Sequence, residues 1–197
     1  MRIDCVTVGP LSTNCYIVSP DDGDEAVIID PGAGAKRILA ALGDRKIAAV
    51  LLTHGHFDHT GALRAFAHAP IYMHPADEIM LSDTAWSAGD MVRDAAPRPP
   101  ATNFVMEGAK LCLAGLEIGV MHVPGHTKGS VAYCIGDSLF TGDTMFRRGY
   151  GRCDFPGGSE AEERQSLRRL LRLEKNYAVY PGHGEATTLN AEREFYL

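Results

Sequence analysis

Short apolar runs broken by turn residues dominate the first half of the chain. Residues 3–8, 15–18 and 26–29 are such runs, bounded by Gly, Pro, Asn and Asp, and they predict strands. Asp21-Asp22-Gly23-Asp24 predicts a hairpin turn, because Asp and Gly tolerate the backbone angles of a tight reversal. Residues 35–42 set Ile38, Leu39 and Leu42 at helical spacing, and Gly43 follows where a C-terminal helix cap belongs. The run 47–53 is almost unbroken, as expected of a strand covered on both faces. Residues 60–68 predict a helix and 71–73 a short strand. From 82 to 103 the pattern dissolves into Ala, Pro, Asp and Ser, which predicts a long loop, either a binding lid or a surface excursion.

The second half returns to strands, predicted at 111–113, 116–122, 130–135, 138–140 and 177–180, with Gly136-Asp137 as a tight hairpin. Residues 160–173 are the clearest helix. Ser159 can cap it, and Glu162 completes a capping box. Leu167, Leu170 and Leu171 face inward, with Leu173 beside them, while Arg168, Arg169 and Arg172 face water near the end where cations suit the dipole. A short helix is expected at the end of the chain. Strands followed by a helix in each half fit an α/β sandwich of two sheets with outer helices.

Composition narrows the options. The 197 residues suit one domain spanning 1–197, and 45% hydrophobic residues are enough to build its core. The formal charge of −6 argues against nucleic-acid partners, whose phosphates are met by basic faces, and against a basic membrane-surface patch. Five scattered cysteines, with no Cys-x-x-Cys pair, suggest reduced thiols rather than a disulfide framework or zinc ribbon. No signal peptide and no stretch of membrane-spanning length is read, so the expected compartment is the cytoplasm.

The chemistry lies where apolar runs stop. Five of the eight histidines fall into three polar stops: Thr53-His54-Gly55-His56-Phe57-Asp58-His59, Pro124-Gly125-His126-Thr127 and Pro181-Gly182-His183-Gly184. A fourth, Thr141-Gly142-Asp143-Thr144, supplies a carboxylate. Residues two apart in an extended stretch point the same way, so His54 and His56 can grip one ion together. Asp58 and His59 follow where the chain bends toward a helix and can grip a second. Crowding His54, His56, Asp58 and His59 together costs repulsion or desolvation unless a divalent cation offsets it. Imidazole with carboxylate suits zinc, iron or manganese. The isolated His68, His74 and His122 read as ordinary hydrogen-bonding histidines.

These stops, together with Asp30-Pro31-Gly32, resemble the ordered motif set of the metallo-β-lactamase superfamily over nearly the whole chain. The resemblance implies an αββα sandwich with metals at the sheet edges. It implies that His54, His56 and His126 bind a first metal, that Asp58, His59 and His183 bind a second, and that Asp143 bridges both. Asp30 would orient the ligand loop from behind. Two divalent ions are implied, zinc first, with iron or manganese as alternatives.

Residues 140–146 and 149–158 resemble the short glyoxalase II-type hydrolases, which cleave thioesters, above all S-lactoylglutathione. That implies a small-molecule thioester substrate attacked by a metal-activated hydroxide, with Asp58 also orienting the nucleophile. The longer glyoxalase II enzymes carry a C-terminal helical region that helps hold glutathione, which this sequence lacks. Arg152 stands where those enzymes have a lysine that contacts glutathione. Arg147 and Arg148 are basic neighbours that either bind a substrate carboxylate or are solvated loop charges. The rivals are a mononuclear iron persulfide dioxygenase of the same fold, which shares a Gly-Arg-x-Asp-Phe stretch like 151–155, and a lactonase.

Overall fold

The computed structural model describes residues 1–94 and 96–196; Ala95, inside the expected loop 82–103, and Leu197 lie outside the described residues. The apolar runs become strands whose two faces enter different cores. In β2 (Thr13–Ser19), Cys15 and Ile17 join one cluster while Tyr16 and Val18 join another. In β3 (Glu25–Ile29), Ala26 and Ile28 part from Val27 and Ile29 in the same way. Burial on both faces is why these runs show no polar alternation.

The first sheet runs in sequence order, β1 (Arg2–Val8), β2, β3, β4 (Lys46–Leu51), β5 (Ile71–Met73) and β6 (Asn103–Phe104), parallel from β3 onward. The second contains β7 (Lys110–Leu113), β8 (Leu116–His122), β9 (Val131–Ile135), β10 (Ser138–Gly142), β11 (Ala178–Pro181) and β12 (Thr187–Thr188), in the order β12-β11-β10-β9-β8-β7. Only β10 and β11 pair in parallel there. One core fills the space between the sheets, around Tyr16, Leu51, Tyr133 and Phe140. A second lies outside the first sheet under α1 (Ala35–Leu42), through Ile38 and Leu42. The third lies outside the second sheet under α3 (Glu160–Leu171), through Leu167, Leu170 and Leu171. Helix, sheet, sheet, helix is the expected αββα sandwich.

Three local expectations change. The helix expected over 60–68 is broken into α2 (Phe57–Thr60) and a 3-10 turn at Leu63–Phe66. The Ala62 N–H donates to Pro31 O at 2.9 Å instead of continuing the helix, because the chain here is pressed against the Asp30-Pro31-Gly32 turn. At α3, Ser159 Oγ accepts from Glu162 N, but the Ser159 N–H donates to Gly125 O at 2.7 Å, so the reciprocal half of the capping box gives way to a tertiary contact. The two-residue strand β12 has no pattern of its own and forms by pairing Thr187 and Thr188 with β11. The segment 82–103 contains a 3-10 turn at Gly89–Val92 and ends in β6. Residues 189–196 form α4 (Leu189–Tyr196). Among the described residues no helix is long and apolar enough to cross a membrane.

Phe140 is fully buried between the sheets, edge-on to Tyr16 at 5.2 Å and stacked on Tyr180 at 5.1 Å, just before the Gly142-Asp143 turn. Phe140→Ala is expected to cost about 3–5 kcal/mol of unfolding free energy in urea denaturation; a loss below about 1 kcal/mol would show that the inter-sheet core does not depend on this ring.

Candidate metal centre

All seven residues singled out from the polar stops come together where strands end. His54 and His56 follow β4, with Asp58 and His59 inside α2. His126 lies in the loop after β8, Asp143 directly follows β10 and His183 follows β11. Backbone contacts join these ends: Val131 N–H donates to Thr53 O at 2.8 Å and Gly182 N–H to Gly142 O at 2.7 Å. Gly182 is required by the close approach, since a Cβ there would stand 2.2 Å from Asp143 Oδ1.

The outer ring nitrogens decide which lone pairs face inward. His126 Nδ1 meets the Arg152 carbonyl at 2.7 Å and His183 Nδ1 the Leu11 carbonyl at 3.0 Å. A carbonyl only accepts, so both Nδ1 atoms carry a proton and both Nε2 atoms are turned into the site, where each offers a lone pair once a cation replaces any proton on it. His59 Nδ1 lies 2.9 Å from Asp30 Oδ2. His54 Nδ1 lies 3.1 Å from Thr53 Oγ1, whose own proton goes to Asp30 Oδ2 at 2.6 Å. Asp30 thus orients two rings. It also accepts Thr53 N–H at 2.8 Å, and it does so from a left-handed backbone conformation, φ 52°, which Asp tolerates better than most residues. Both Asp30 oxygens are thus engaged by Thr53 and His59, although Asp30, His54 and His59 also lie close enough together to hold an ion.

Two groups of inward atoms result. In the first, His126 Nε2 is 2.8 Å from His56 Nδ1 and 3.2 Å from His54 Nε2. In the second, Asp58 Oδ2 is 3.5 Å from His59 Nε2 and 3.2 Å from His183 Nε2. Asp143 stands between the groups, its Oδ2 3.6 Å from His126 Nε2 and 3.5 Å from His183 Nε2, its Oδ1 3.3 Å from His59 Nε2. His59 Nε2 and Asp143 Oδ1 are buried without a hydrogen-bond partner. Orphaned buried atoms facing one another across such a gap fit divalent cations, and these His and Asp clusters form a divalent metal site.

Electrostatics divides the centre. Burial, reinforced by the neighbouring imidazoles, holds His54 well below its ordinary pKa and lowers His56 to about 3, so these two rings are neutral. Burial opposes the charged forms in the second group too, but opposite charges prevail. Asp58 falls to about 2 through His59 and His183, and Asp143 lies well below the carboxylate range. His183 rises to about 9 through its contacts with Asp143 and Asp58, and His59 is raised by Asp58, Asp143 and Asp30. Without metal, protons on His59 and His183 balance the carboxylates.

Several supports carried no sequence signal. Buried Asp77 accepts from Thr127 Oγ1 at 2.6 Å, Gly129 N at 2.7 Å and Gly55 N at 3.3 Å, tying the His54–His56 turn to the His126 loop. Thr13 Oγ1 donates to Asp58 Oδ2 at 2.8 Å. Asn14 Nδ2 donates to Pro181 O and Gly184 O at 3.1 and 2.9 Å, steadying the His183 turn. Glu163, on the inner face of α3, accepts the His126 N–H at 2.8 Å while its Oε1 stays unpartnered. Asp77 and Glu163 sit among ordinary polar residues in the sequence, and only the fold turns them inward. The bland reading of His74 and His122 holds: they stack on each other at 4.2 Å, and each is hydrogen-bonded to backbone.

The centre opens into a cleft of about 540 Å3 whose lining includes Arg152. Arg148 is not among the residues lining the cleft, and its backbone N–H donates to Glu192 Oε2 at 2.8 Å. Arg147 pairs with Glu185.

Comparison with known proteins agrees with this architecture. A model of the metallo-β-lactamase superfamily matches residues 8–183, and the chain belongs to that superfamily. The chain is 34% identical to the hydroxyacylglutathione hydrolase GloC of Haemophilus influenzae, over 98% of this chain and 95% of that protein. The solved structure of the BLEG-1 B3 metallo-β-lactamase superposes with a TM-score of 0.93 at 33% identity, covering 98% of this chain and 97% of that one. That of TTHA1623 in a di-iron-bound form gives 0.84 at 39% identity, covering 96% of each.

Two predictions concern the supports. Asp30→Ala is expected to weaken metal binding about 10- to 100-fold in competition with a chelator; unchanged affinity would mean that His59 needs no orienting partner. Burial raises the Glu163 pKa to about 8 from an ordinary 4.5. Its contribution to stability is therefore complete below about pH 4.5 and lost as pH rises through about 8, with a slope approaching about 1.4 kcal/mol per pH unit. The melting temperature of Glu163→Gln should thus vary less with pH across that window than that of the parent, and parallel profiles would refute the assignment.

Proposed function

We propose that the chain is a thioester hydrolase of the glyoxalase II type that works with two divalent metal ions and takes S-lactoylglutathione as its reference substrate. Zinc is the first choice of metal, with iron or manganese as alternatives; TTHA1623, solved with two irons, supports iron as a serious one. In this reading His54, His56 and His126 hold one ion, Asp58, His59 and His183 the other, and Asp143 belongs to both. The observation that carries it is the Asp143 carboxylate, which reaches toward His126 with Oδ2 at 3.6 Å and toward His59 with Oδ1 at 3.3 Å. The likeness to a hydroxyacylglutathione hydrolase supports the thioester.

Bound divalent ions would supply a water of lowered pKa and positive charge for the oxyanion that develops at the carbonyl. The protein's own part is orientation. Hydrogen bonds to Asp30, Leu11 and Arg152 hold the rings so that lone pairs, not N–H groups, face the ions. Asp58, held by Thr13 and lining the cleft, is placed to orient the nucleophile as well as to ligate. Arg152, also in the lining, is the contact offered to the polar end of a substrate. A cleft of about 540 Å3 fits a small molecule, so neither nucleic acid nor a membrane is a partner in this reading.

Purified protein is expected to hydrolyse S-lactoylglutathione, to carry about two metals per chain and to lose activity to chelator. Asp143→Ala should lower turnover at least about 100-fold and reduce metal content. If fully loaded protein leaves the thioester intact, the assignment fails, and oxygen uptake with a persulfide and hydrolysis of lactones are the assays that follow.

A further inference from the structure

Beyond the metal-centre residues and Arg152, the walls of the cleft are apolar and include Leu11, Ala88, Met91, Val92, Phe146 and Phe155. Leu11, Met91 and Val92 are 50, 67 and 46% exposed. Large apolar side chains left in water around a concave site mark a surface that a ligand covers.

The backbone that carries Met91 and Val92 is tied down. The turn Gly89–Val92 that carries Met91 and Val92 lies between Ala88 at φ 59° and Arg93 at φ 55°. Neither is glycine, so both ends store local strain, which persists only where surrounding structure enforces it. The enforcing contacts reach α2: Phe57 N–H donates to Ser87 O at 3.0 Å, and Arg98 joins Asp94 at 2.5 Å to the Phe57 carbonyl at 3.4 Å. The segment is thereby tied to the helix that carries Asp58 and His59.

The one guanidinium of the lining is already matched. Arg152 Nε and Nη2 both donate to Asp154 at 2.6 Å, and its guanidinium lies 4.1 Å above the Phe155 ring. Arg152 can meet one polar end of a substrate, while the rest of the wall offers no charged partner. The wall suits a hydrocarbon better.

Resting on the thioesterase reading above, we propose that the cleft selects substrates bearing an apolar chain beside the scissile carbonyl, laid between the Met91-Val92 turn and Phe155. The chain can belong to the acyl group or to the thiol; the recognising chemistry is the same.

The test uses metal-loaded, full-length protein and two series of uncharged thioesters, one lengthening the acyl group from two to eight carbons, the other lengthening the thiol with acetyl constant. In at least one series kcat/KM should rise roughly twofold to fourfold per methylene over the first additions, mainly through KM, and the series that rises tells which side of the carbonyl carries the chain. Met91→Ser, at an exposed position where folding is not at stake, should flatten the rise. Two flat series, or S-lactoylglutathione outrunning every longer thioester, would overturn the proposal and leave the hydrolase intact. A rise untouched by Met91→Ser would overturn the placement. Should no thioester be cleaved, the thioesterase reading falls but the apolar wall is still tested: octanoate should bind the loaded protein at least about tenfold more tightly than acetate in calorimetry, and equal affinities would overturn it.

Discussion

Three imidazole nitrogens converge on one spot, His126 Nε2 standing 2.8 Å from His56 Nδ1 and 3.2 Å from His54 Nε2. The outer nitrogens of His54 and His126 are engaged as donors, so their lone pairs have nowhere else to point. Beside them, Asp58 and Asp143 bring two buried carboxylates toward His59 and His183. Such a cluster opposes its own assembly until cations enter it, and metal binding then returns the cost as folding free energy. Much of the fold follows from having to hold it open.

The sandwich provides that rigidity by ending strands of both sheets at one edge. Residues following β4 come from the first sheet, and those following β8, β10 and β11 from the second. The inter-sheet core locks the two sheets, and polar residues make the finer ties. Asp30 braces the first stop from below, Asp77 joins it to the His126 loop, and Thr13 and Asn14 draw the turn between β1 and β2 toward Asp58 and His183. The two supporting carboxylates differ in kind. Asp77 accepts three donors, whereas Glu163 keeps one oxygen unpaired, and burial holds its proton on to about pH 8. One is a strut; the other behaves as a neutral acid that fills space behind His126.

Strain and exposure belong to another part of the cleft lining. The turn with Met91 and Val92 departs from ordinary backbone geometry and leaves apolar side chains in water, while the metal side is buried and hydrogen-bonded. In the proposed reading, the buried histidines and carboxylates would act on the carbonyl and the apolar wall would choose what is attached to it.

The sequence by itself determined the layering and the chemical types at the centre. Apolar runs without polar alternation announced strands covered on both faces, the leucines of α3 marked the outer helix, and the His-x-His-x-Asp-His spacing exposed four groups that need a cation, because these signals are local. Pairing across the chain was left to tertiary structure. His183 meets Leu11 across 172 positions and His54 meets His126 across 72, and no periodicity encodes such contacts. The same limit left Arg148 open between a substrate contact and a solvated charge, since only the fold brings its backbone N–H to Glu192 of α4. It also explains why Asp77 and Glu163 went unread and why residues 82–103 stood between a binding lid and a surface excursion, since each acquires its place from neighbours that only folding brings within reach.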